Sequence, residues 1–182
     1  MLNKMTQLNE LFGEKNFVRL FFFFLEHPTS EVSQKELKEK LKMAKNTLIK
    51  WLDMLEKKEL IVKKQKFPKK YILNRENSII KHLKSLNNIL KLEKIKELSK
   101  KRNIQIYLYG SSARGEDTED SDIDLLVIGK TKKEDIIQDI NLLSEKIKRR
   151  ISISIFSPLQ WSAMAEKDKA FYERVEKDKI LI

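Results

Sequence analysis

The stretch from residue 103 to residue 128 constrains the fold more than any other part of the sequence. The β-forming residues 103–109 run into Gly-Ser-Ser-Ala-Arg-Gly, and a second apolar strand follows as Ser-Asp-Ile-Asp-Leu-Leu-Val-Ile at residues 121–128. Because strand side chains alternate, Asp122 and Asp124 project from one face, roughly 6–7 Å apart, where a buried strand begins. The pattern predicts a sheet edge that places a glycine-serine turn close to two carboxylates.

The residue types of this turn suit a phosphate group. Gly110 has no Cβ, so a phosphate can approach its backbone, and the Ser111 and Ser112 hydroxyls and free N–H groups of a short helix can bind phosphate oxygens. Arg114 either contacts a triphosphate or pairs with a neighbouring carboxylate. The two aspartates are hard ligands that can hold Mg²⁺, which neutralises triphosphate oxygens.

These strings, Gly-Ser-Ser-Ala-Arg-Gly and then Ser-Asp-Ile-Asp-Leu, closely resemble the DNA polymerase beta nucleotidyltransferase superfamily, particularly its minimal nucleotidyltransferases. The resemblance covers roughly residues 86–182. It implies transfer of a nucleoside monophosphate from a nucleoside triphosphate, with Gly110 and Ser111 on the triphosphate and Asp122 and Asp124 as the catalytic, metal-binding pair. Mg²⁺ and ATP, or another nucleoside triphosphate, are the cofactor and ligand that it implies.

The sequence departs from this family at one position. The family carries a third carboxylate on the strand that corresponds to residues 151–156, which here reads Ile-Ser-Ile-Ser-Ile-Phe, and the alignment puts Ser154 in its place. A serine hydroxyl is neutral at pH 7 and supplies neither a charge nor a useful general base.

Two functions are therefore open. The first is a regulatory or antitoxin-like protein that binds NTP and Mg²⁺ with weak or lost transfer activity. For this function the family resemblance implies a toxin-like partner protein. The alternative is an active, Mg²⁺-dependent nucleotidyltransferase that moves NMP, with AMP from ATP as the expected case, to a protein or nucleic-acid acceptor.

The first 75 residues follow the order of a winged helix-turn-helix. A helix over residues 9–26 ends before Pro28, a capping box begins a second helix at Ser33, and an amphipathic helix over residues 44–58 precedes a hairpin with a lysine-rich tip. Residues 29–73 resemble that family, which implies contact with double-stranded DNA through the third helix and the wing. The first of the two functions would then be that of a DNA-binding transcriptional regulator. The expected contacts are Lys45, Asn46, Thr47, Lys50, Lys63, Lys64, Lys66, Lys69 and Lys70.

The fold class expected for the whole chain is α+β. It consists of a winged helix-turn-helix domain at residues 1–75, a helical connector at 76–101 that breaks after Leu90, and a small mixed-sheet nucleotidyltransferase domain at 102–182. The connector carries an apolar stripe that suits either a homodimer or packing within the chain. Its members are Ile79, Leu83, Leu86 and Leu90.

Charge and composition limit the remaining function classes. The chain has a net charge of +11, and residues 1–101, with 24 Lys and Arg against 12 Asp and Glu, carry +12 while residues 102–182 carry −1. This asymmetry indicates an anionic partner for the N-terminal part. Without cysteine and with only two histidines, thiolate chemistry and most His-based metal sites are excluded. The longest apolar run, residues 20–25, is too short to span a bilayer, so we expect a soluble, cytoplasmic protein.

Overall fold

The computed structural model describes residues 13–65 and 67–182, and the chain divides into two compact units, residues 1–80 and 81–182. Most of the helical segment that the sequence assigns to a connector falls within the residues of the second unit. Among the described residues, helices long and apolar enough to cross a membrane are absent.

Within residues 13–65 and 67–77, the first unit contains three helices and a three-stranded antiparallel sheet in the order β1-β3-β2. The elements are α1 (Lys15–Glu26), β1 (Val32–Ser33), α2 (Gln34–Leu41), α3 (Lys45–Lys57), β2 (Ile61–Lys64) and β3 (Lys70–Leu73). The three helices and the hairpin predicted from the sequence are present. Helix α1 begins later than predicted: Gly13 and Glu14 precede it, and residues 9–12 lie outside the described part of the chain.

Local sequence explains where these helices lie. The Ser33 hydroxyl accepts a hydrogen bond from the Glu36 amide, and the Glu36 carboxylate accepts one from the Ser33 amide, which confirms the predicted capping box. Aromatic side chains join α1 to α3, since the Phe17 and Trp51 rings meet edge to face with centroids 5.3 Å apart. The apolar face of α3 is thereby buried, and its opposite face is left for solvent or a ligand.

The second unit is a four-stranded mixed sheet in the order β6-β5-β4-β7, with β5 and β6 parallel and the other pairs antiparallel. Its elements are α4 (Ser78–Lys91, which enters this unit at residue 81), α5 (Ile95–Arg102), β4 (Gln105–Tyr109), α6 (Gly110–Arg114), β5 (Ile123–Ile128), α7 (Lys133–Ile147), β6 (Ile151–Phe156), α8 (Pro158–Lys167), α9 (Lys169–Asp178) and β7 (Ile180–Leu181). Helices and sheets together confirm the α+β class.

Strand alternation gives this sheet two buried faces. Ile123, Leu125 and Val127 pack in a core with residues of α5 and α7. The alternate positions Leu126 and Ile128 pack with aromatic residues of α8 and α9 instead. Asp124 occupies the first position of this second face, so the carboxylate lies at the end of an apolar layer rather than within it.

The predicted break after Leu90 is confirmed, because α4 ends at Lys91 and α5 begins at Ile95. Packing of the apolar stripe within the chain, one of its two alternatives, is wrong: Ile79, Leu86 and Leu90 are each about half exposed. The buried positions of α4 are mostly polar. They are Ile80, Lys84, Asn87 and Asn88.

Candidate functional site

The glycine turn of the second unit lies against one of the predicted metal-binding carboxylates. Strand β4 passes directly into α6, and Gly110, the first residue of that helix, has φ +72°, a conformation that suits glycine. A Cβ added to Gly110 would lie 3.0 Å from Oδ2 of Asp124. The backbone that would receive a phosphate and the carboxylate that would hold a cation are therefore adjacent, as the sequence predicts.

The two serines of the turn differ in their surroundings. Ser111 is partly exposed, and its carbonyl accepts hydrogen bonds from the amides of Gly115 and Glu116, which close the turn. Ser112 is fully buried, with its hydroxyl 3.4 Å from the carbonyl oxygen of Asp122. In this conformation Ser112 supports the turn from within, and Ser111 has the more accessible hydroxyl.

Asp124 is held in an environment that disfavours its charge. Burial raises the pKa of Asp124, the nearby charge of Asp122 raises it further, and the charge of Arg174 acts in the opposite direction. Asp122, which immediately precedes β5, has its Oδ2 3.5 Å from Nε of Arg150. Since two carboxylates that repel each other are relieved by a cation between them, this donor set fits a hard ion such as Mg²⁺.

Two serines of β6 lie beside Asp124, on the strand where the sequence places Ser154 in the position of the family's third carboxylate. In the parallel pairing of β5 with β6, Asp124 is level with Ser152 and Leu126 is level with Ser154, so both serines lie on the face of Asp124. The Ser154 hydroxyl lies 3.4 Å from the hydroxyl of Tyr109. Within residues 13–65 and 67–182, no cluster of three or more His, Cys, Asp or Glu side chains is arranged to hold a metal ion.

Arg114, the other residue assigned to the triphosphate from the sequence, is engaged by two carboxylates. Its Nε donates to Glu116 at 2.8 Å, and its Nη1 pairs with Asp178. Both hydrogen bonds raise the pKa of Arg114 above its ordinary value, and the bond to Glu116 makes the larger contribution. The pairing alternative named from the sequence is thus present, and a contact to triphosphate stays a prediction.

Sequence analysis missed the residues that hold the loop between the turn and the aspartates. Asp117, 2 % exposed, pairs with Lys84 at 3.3 Å and with Arg149 at 2.8 Å, and it accepts a hydrogen bond from the Asn88 amide. Lys84, Asn87 and Asn88 follow Ile80 at helical spacing. This spacing is the sequence signal that could have indicated a buried polar face of α4.

The first unit presents the predicted nucleic-acid contacts on two elements. On α3, Lys45, Asn46 and Lys50 are exposed and Thr47 is partly exposed, opposite the buried Leu48, Trp51, Leu52 and Leu55. The hairpin leaves Lys69 exposed and Lys63, Lys64 and Lys70 partly exposed; Lys66 lies outside the described residues. Lys63 also pairs with Glu56 at 3.6 Å.

Comparison with protein families gives one match. The family model described as "Nucleotidyltransferase domain" matches residues 89–182, which contain the glycine turn, both aspartates and the serine strand. Searches among curated proteins and among solved structures found no match.

Proposed function

Because the chain belongs to the nucleotidyltransferase-domain family, whose members generally use a nucleoside triphosphate and Mg²⁺, we propose that its second unit binds NTP with Mg²⁺, with weak or lost transfer activity. The first unit is a winged helix-turn-helix that binds double-stranded DNA. The protein then acts in the cytoplasm as a transcriptional regulator or an antitoxin-like protein.

The nucleotide site is assigned to residues that the fold brings together. Gly110 and Ser111 receive the triphosphate, and Asp122 and Asp124 hold Mg²⁺. When bound, the ion neutralises the triphosphate oxygens next to the glycine turn. The proximity of Gly110 to Asp124 supports this assignment, because the phosphate and the ion must be neighbours.

The observation that carries weak or lost transfer is the pair of serines on β6. Ser152 and Ser154 share the face of Asp124, and neither can accept the proton of an attacking hydroxyl at neutral pH. Two carboxylates remain to bind a metal ion, and the family's third carboxylate, which can help to deprotonate the acceptor, is missing.

Labelled ATP separates the regulator from the active enzyme. The protein is incubated with Mg²⁺, labelled ATP and the protein encoded by its neighbouring gene, as wild type, as the double variant Asp122→Ala/Asp124→Ala, and as Ser154→Asp and Ser152→Asp. The proposal expects little or no label transfer by the wild type and clearly more transfer by one serine-to-aspartate variant. Wild-type transfer that the double variant abolishes and that neither serine-to-aspartate variant increases would establish the alternative, an active nucleotidyltransferase.

The hairpin supports the DNA-binding part of the proposal through its charges. Lys64 and Lys70 are cross-strand partners in the register of β2 with β3. Like charges directly opposite each other destabilise a hairpin, and a phosphate backbone would relieve this repulsion and release counterions. The exposed Lys45 and Lys50 of α3 add two further positive charges.

Salt dependence tests this interface. Binding of duplex DNA is measured over a range of salt concentrations, and the double variant Lys64→Gln/Lys70→Gln should reduce the slope of log K against log[salt] by about 2. Phe67→Ala is the matched control, since it alters a fully exposed tip residue without changing charge and should leave the slope unchanged. A wild-type slope no steeper than one or two phosphate contacts require would refute DNA binding.

Two further associations complete the proposal. A toxin-like protein is the proposed partner, as the family resemblance implies. A homodimer would use the apolar stripe of α4, in which Ile79, Leu86 and Leu90 are exposed and Leu83 is partly exposed, and whose 4-3-4 spacing suits packing against a second helix.

A further inference from the structure

We propose that Arg149 is a positioning residue that sets the place of Asp122 through a buried polar cluster, defined as Lys84, Asn88, Asp117 and Arg149. This inference rests on the proposed Mg²⁺–nucleotide site and deepens it. The cluster contains two cations and one carboxylate whose side chains are between 2 % and 12 % exposed, and it lies between α4 and the loop that leads to β5.

The guanidinium of Arg149 joins this cluster to the residue next to Asp122. It donates to Asp117 Oδ2 at 2.8 Å, and its Nε and Nη2 donate to the carbonyl of Ser121 at 3.1 and 2.7 Å. The planar fork of arginine allows these bonds to form at once, which a lysine ammonium cannot reproduce.

The backbone around Asp122 is fixed on both sides by neighbouring residues of one segment. Arg149 binds the Ser121 carbonyl, and the carbonyl of Arg150 accepts a hydrogen bond from the Ile123 amide at 2.9 Å. Arg149 is itself anchored, because its carbonyl accepts a hydrogen bond from the Ser144 hydroxyl at 2.7 Å. Asp122 therefore takes its position from the end of α7 and the start of β6.

The same cluster reaches the glycine turn. The Asn88 amide donates to the carbonyl of Ser112 at 3.0 Å and to Asp117 Oδ1 at 3.1 Å. One residue of α4 thus binds the phosphate turn and the loop before the aspartates together. Loss of the Asn88 bonds should therefore loosen the turn and the loop together. Loss of the Arg149 bonds to Ser121 should disturb the metal site more than the phosphate turn, because partners of metal-binding groups fix ligand orientation.

Burial of these charges supports a positioning role over a purely stabilising one. Removing a lysine, an arginine and an aspartate from water is costly, and a packed apolar cluster of similar volume stabilises a fold as well or better. Unlike apolar contacts, the hydrogen bonds of these charged and polar groups are directional. They therefore fix the carbonyls of Ser121 and Ser112 in defined positions relative to each other.

The test measures ATP affinity by calorimetry with Mg²⁺ and with EDTA, for the wild type, Arg149→Lys and Asn88→Ala. Arg149→Lys should lose roughly 10–100-fold in affinity with Mg²⁺, while the weaker affinity in EDTA changes little. Arg102→Lys is the matched control, since Arg102 also pairs with an aspartate and donates to a backbone carbonyl, but on the surface. It should bind as the wild type does.

Melting temperature and hydrogen exchange separate positioning from stability. Faster exchange of the amides of residues 118–123 in Arg149→Lys, with β4 unchanged, supports the proposal; the milder Asn88→Ala gives the same readout if Arg149→Lys does not fold. A lower melting temperature with unchanged Mg²⁺-dependent affinity would show a structural role only and overturn it. A wild type without Mg²⁺-dependent ATP binding would instead refute the nucleotide site itself, and with it this role for Arg149.

Discussion

Replacement of Gly115 by alanine should destabilise the second unit more than the same change at Gly110. Both glycines have a positive φ, +67° and +72°, so each alanine carries a similar backbone strain of about 1–2 kcal/mol. The neighbours differ. A Cβ at Gly115 would lie 1.8 Å from the carbonyl oxygen of Lys81 and 2.9 Å from its Cα, whereas at Gly110 the nearest atom is a side-chain oxygen at 3.0 Å.

The loss in unfolding free energy of each variant depends on whether the atoms next to the added Cβ can move away. At Gly110 the carboxylate of Asp124 can rotate away, so the loss in unfolding free energy should stay near the backbone strain, about 1–2 kcal/mol. At Gly115 the atoms in the way are helix backbone, and displacing them adds an overpacking cost, for a total of about 2–5 kcal/mol. The entropy that alanine removes from the unfolded chain is the same in both variants and cancels in the comparison.

Urea-dependent hydrogen exchange, read on peptides that cover β4 and β5, measures the stability of this unit within the full chain. The expected result is a loss of about 2–5 kcal/mol for Gly115→Ala, and a loss of only about 1–2 kcal/mol for Gly110→Ala, which should also be impaired in ATP binding. Equal losses within about 0.5 kcal/mol, the usual limit for surface changes, would show that α4 does not approach the turn as closely as described.

Three further predictions concern single charges and a cap. The pKa of Asp124 is raised by burial and by Asp122. The stability that protonated Asp124 contributes is therefore fully present below the ordinary aspartate pKa and is lost as the pH rises through the folded-state pKa. Asp124→Asn should flatten this loss of unfolding free energy with pH in denaturation curves, and it should abolish Mg²⁺-dependent ATP binding. Ser33→Ala should cost the first unit about 1 kcal/mol. The pKa of Glu36 is lowered first by the hydrogen bond from the Ser33 amide, which alanine keeps, and then by the Ser33 hydroxyl, so an NMR titration should show only a partial return toward the ordinary value. Arg150→Gln should change the unfolding free energy by less than about 1 kcal/mol, because the ion pair with Asp122 is exposed. It should tighten Mn²⁺ binding, measured by electron paramagnetic resonance, because the positive charge that competes for Asp122 is removed. Unchanged or weaker Mn²⁺ binding would contradict this.

Much of the fold follows from local patterns in the sequence. Strand β6 spans the predicted residues 151–156, and the break between α4 and α5 lies where the apolar spacing drifts. The approach of Gly110 to Asp124 also follows from the sequence. β4 ends at the glycine turn and β5 begins at the aspartates, and in an antiparallel pair the end of one strand lies beside the start of the other. In each case the information is contained within a few neighbouring residues.

The buried face of α4 and the direction of Ser112 could not be predicted in this way. An apolar stripe normally marks the buried face of a helix, but here a carboxylate some thirty residues away, Asp117, selects Lys84 and Asn88 instead. Ser111 and Ser112 are successive residues of a helix and therefore point about 100° apart, so the structure leaves one partly exposed and buries the other. Partners distant in sequence decide both outcomes.

The polar face of α4 also determines how the protein can be divided for separate study. The family match begins at residue 89 and the predicted transferase domain at residue 102, yet Lys84 and Asn88 precede both points. A fragment cut at either point would retain Asp117 and Arg149 while losing their partners on α4. We therefore expect soluble expression of the isolated second unit to require a start at or before residue 81, where the compact unit itself begins.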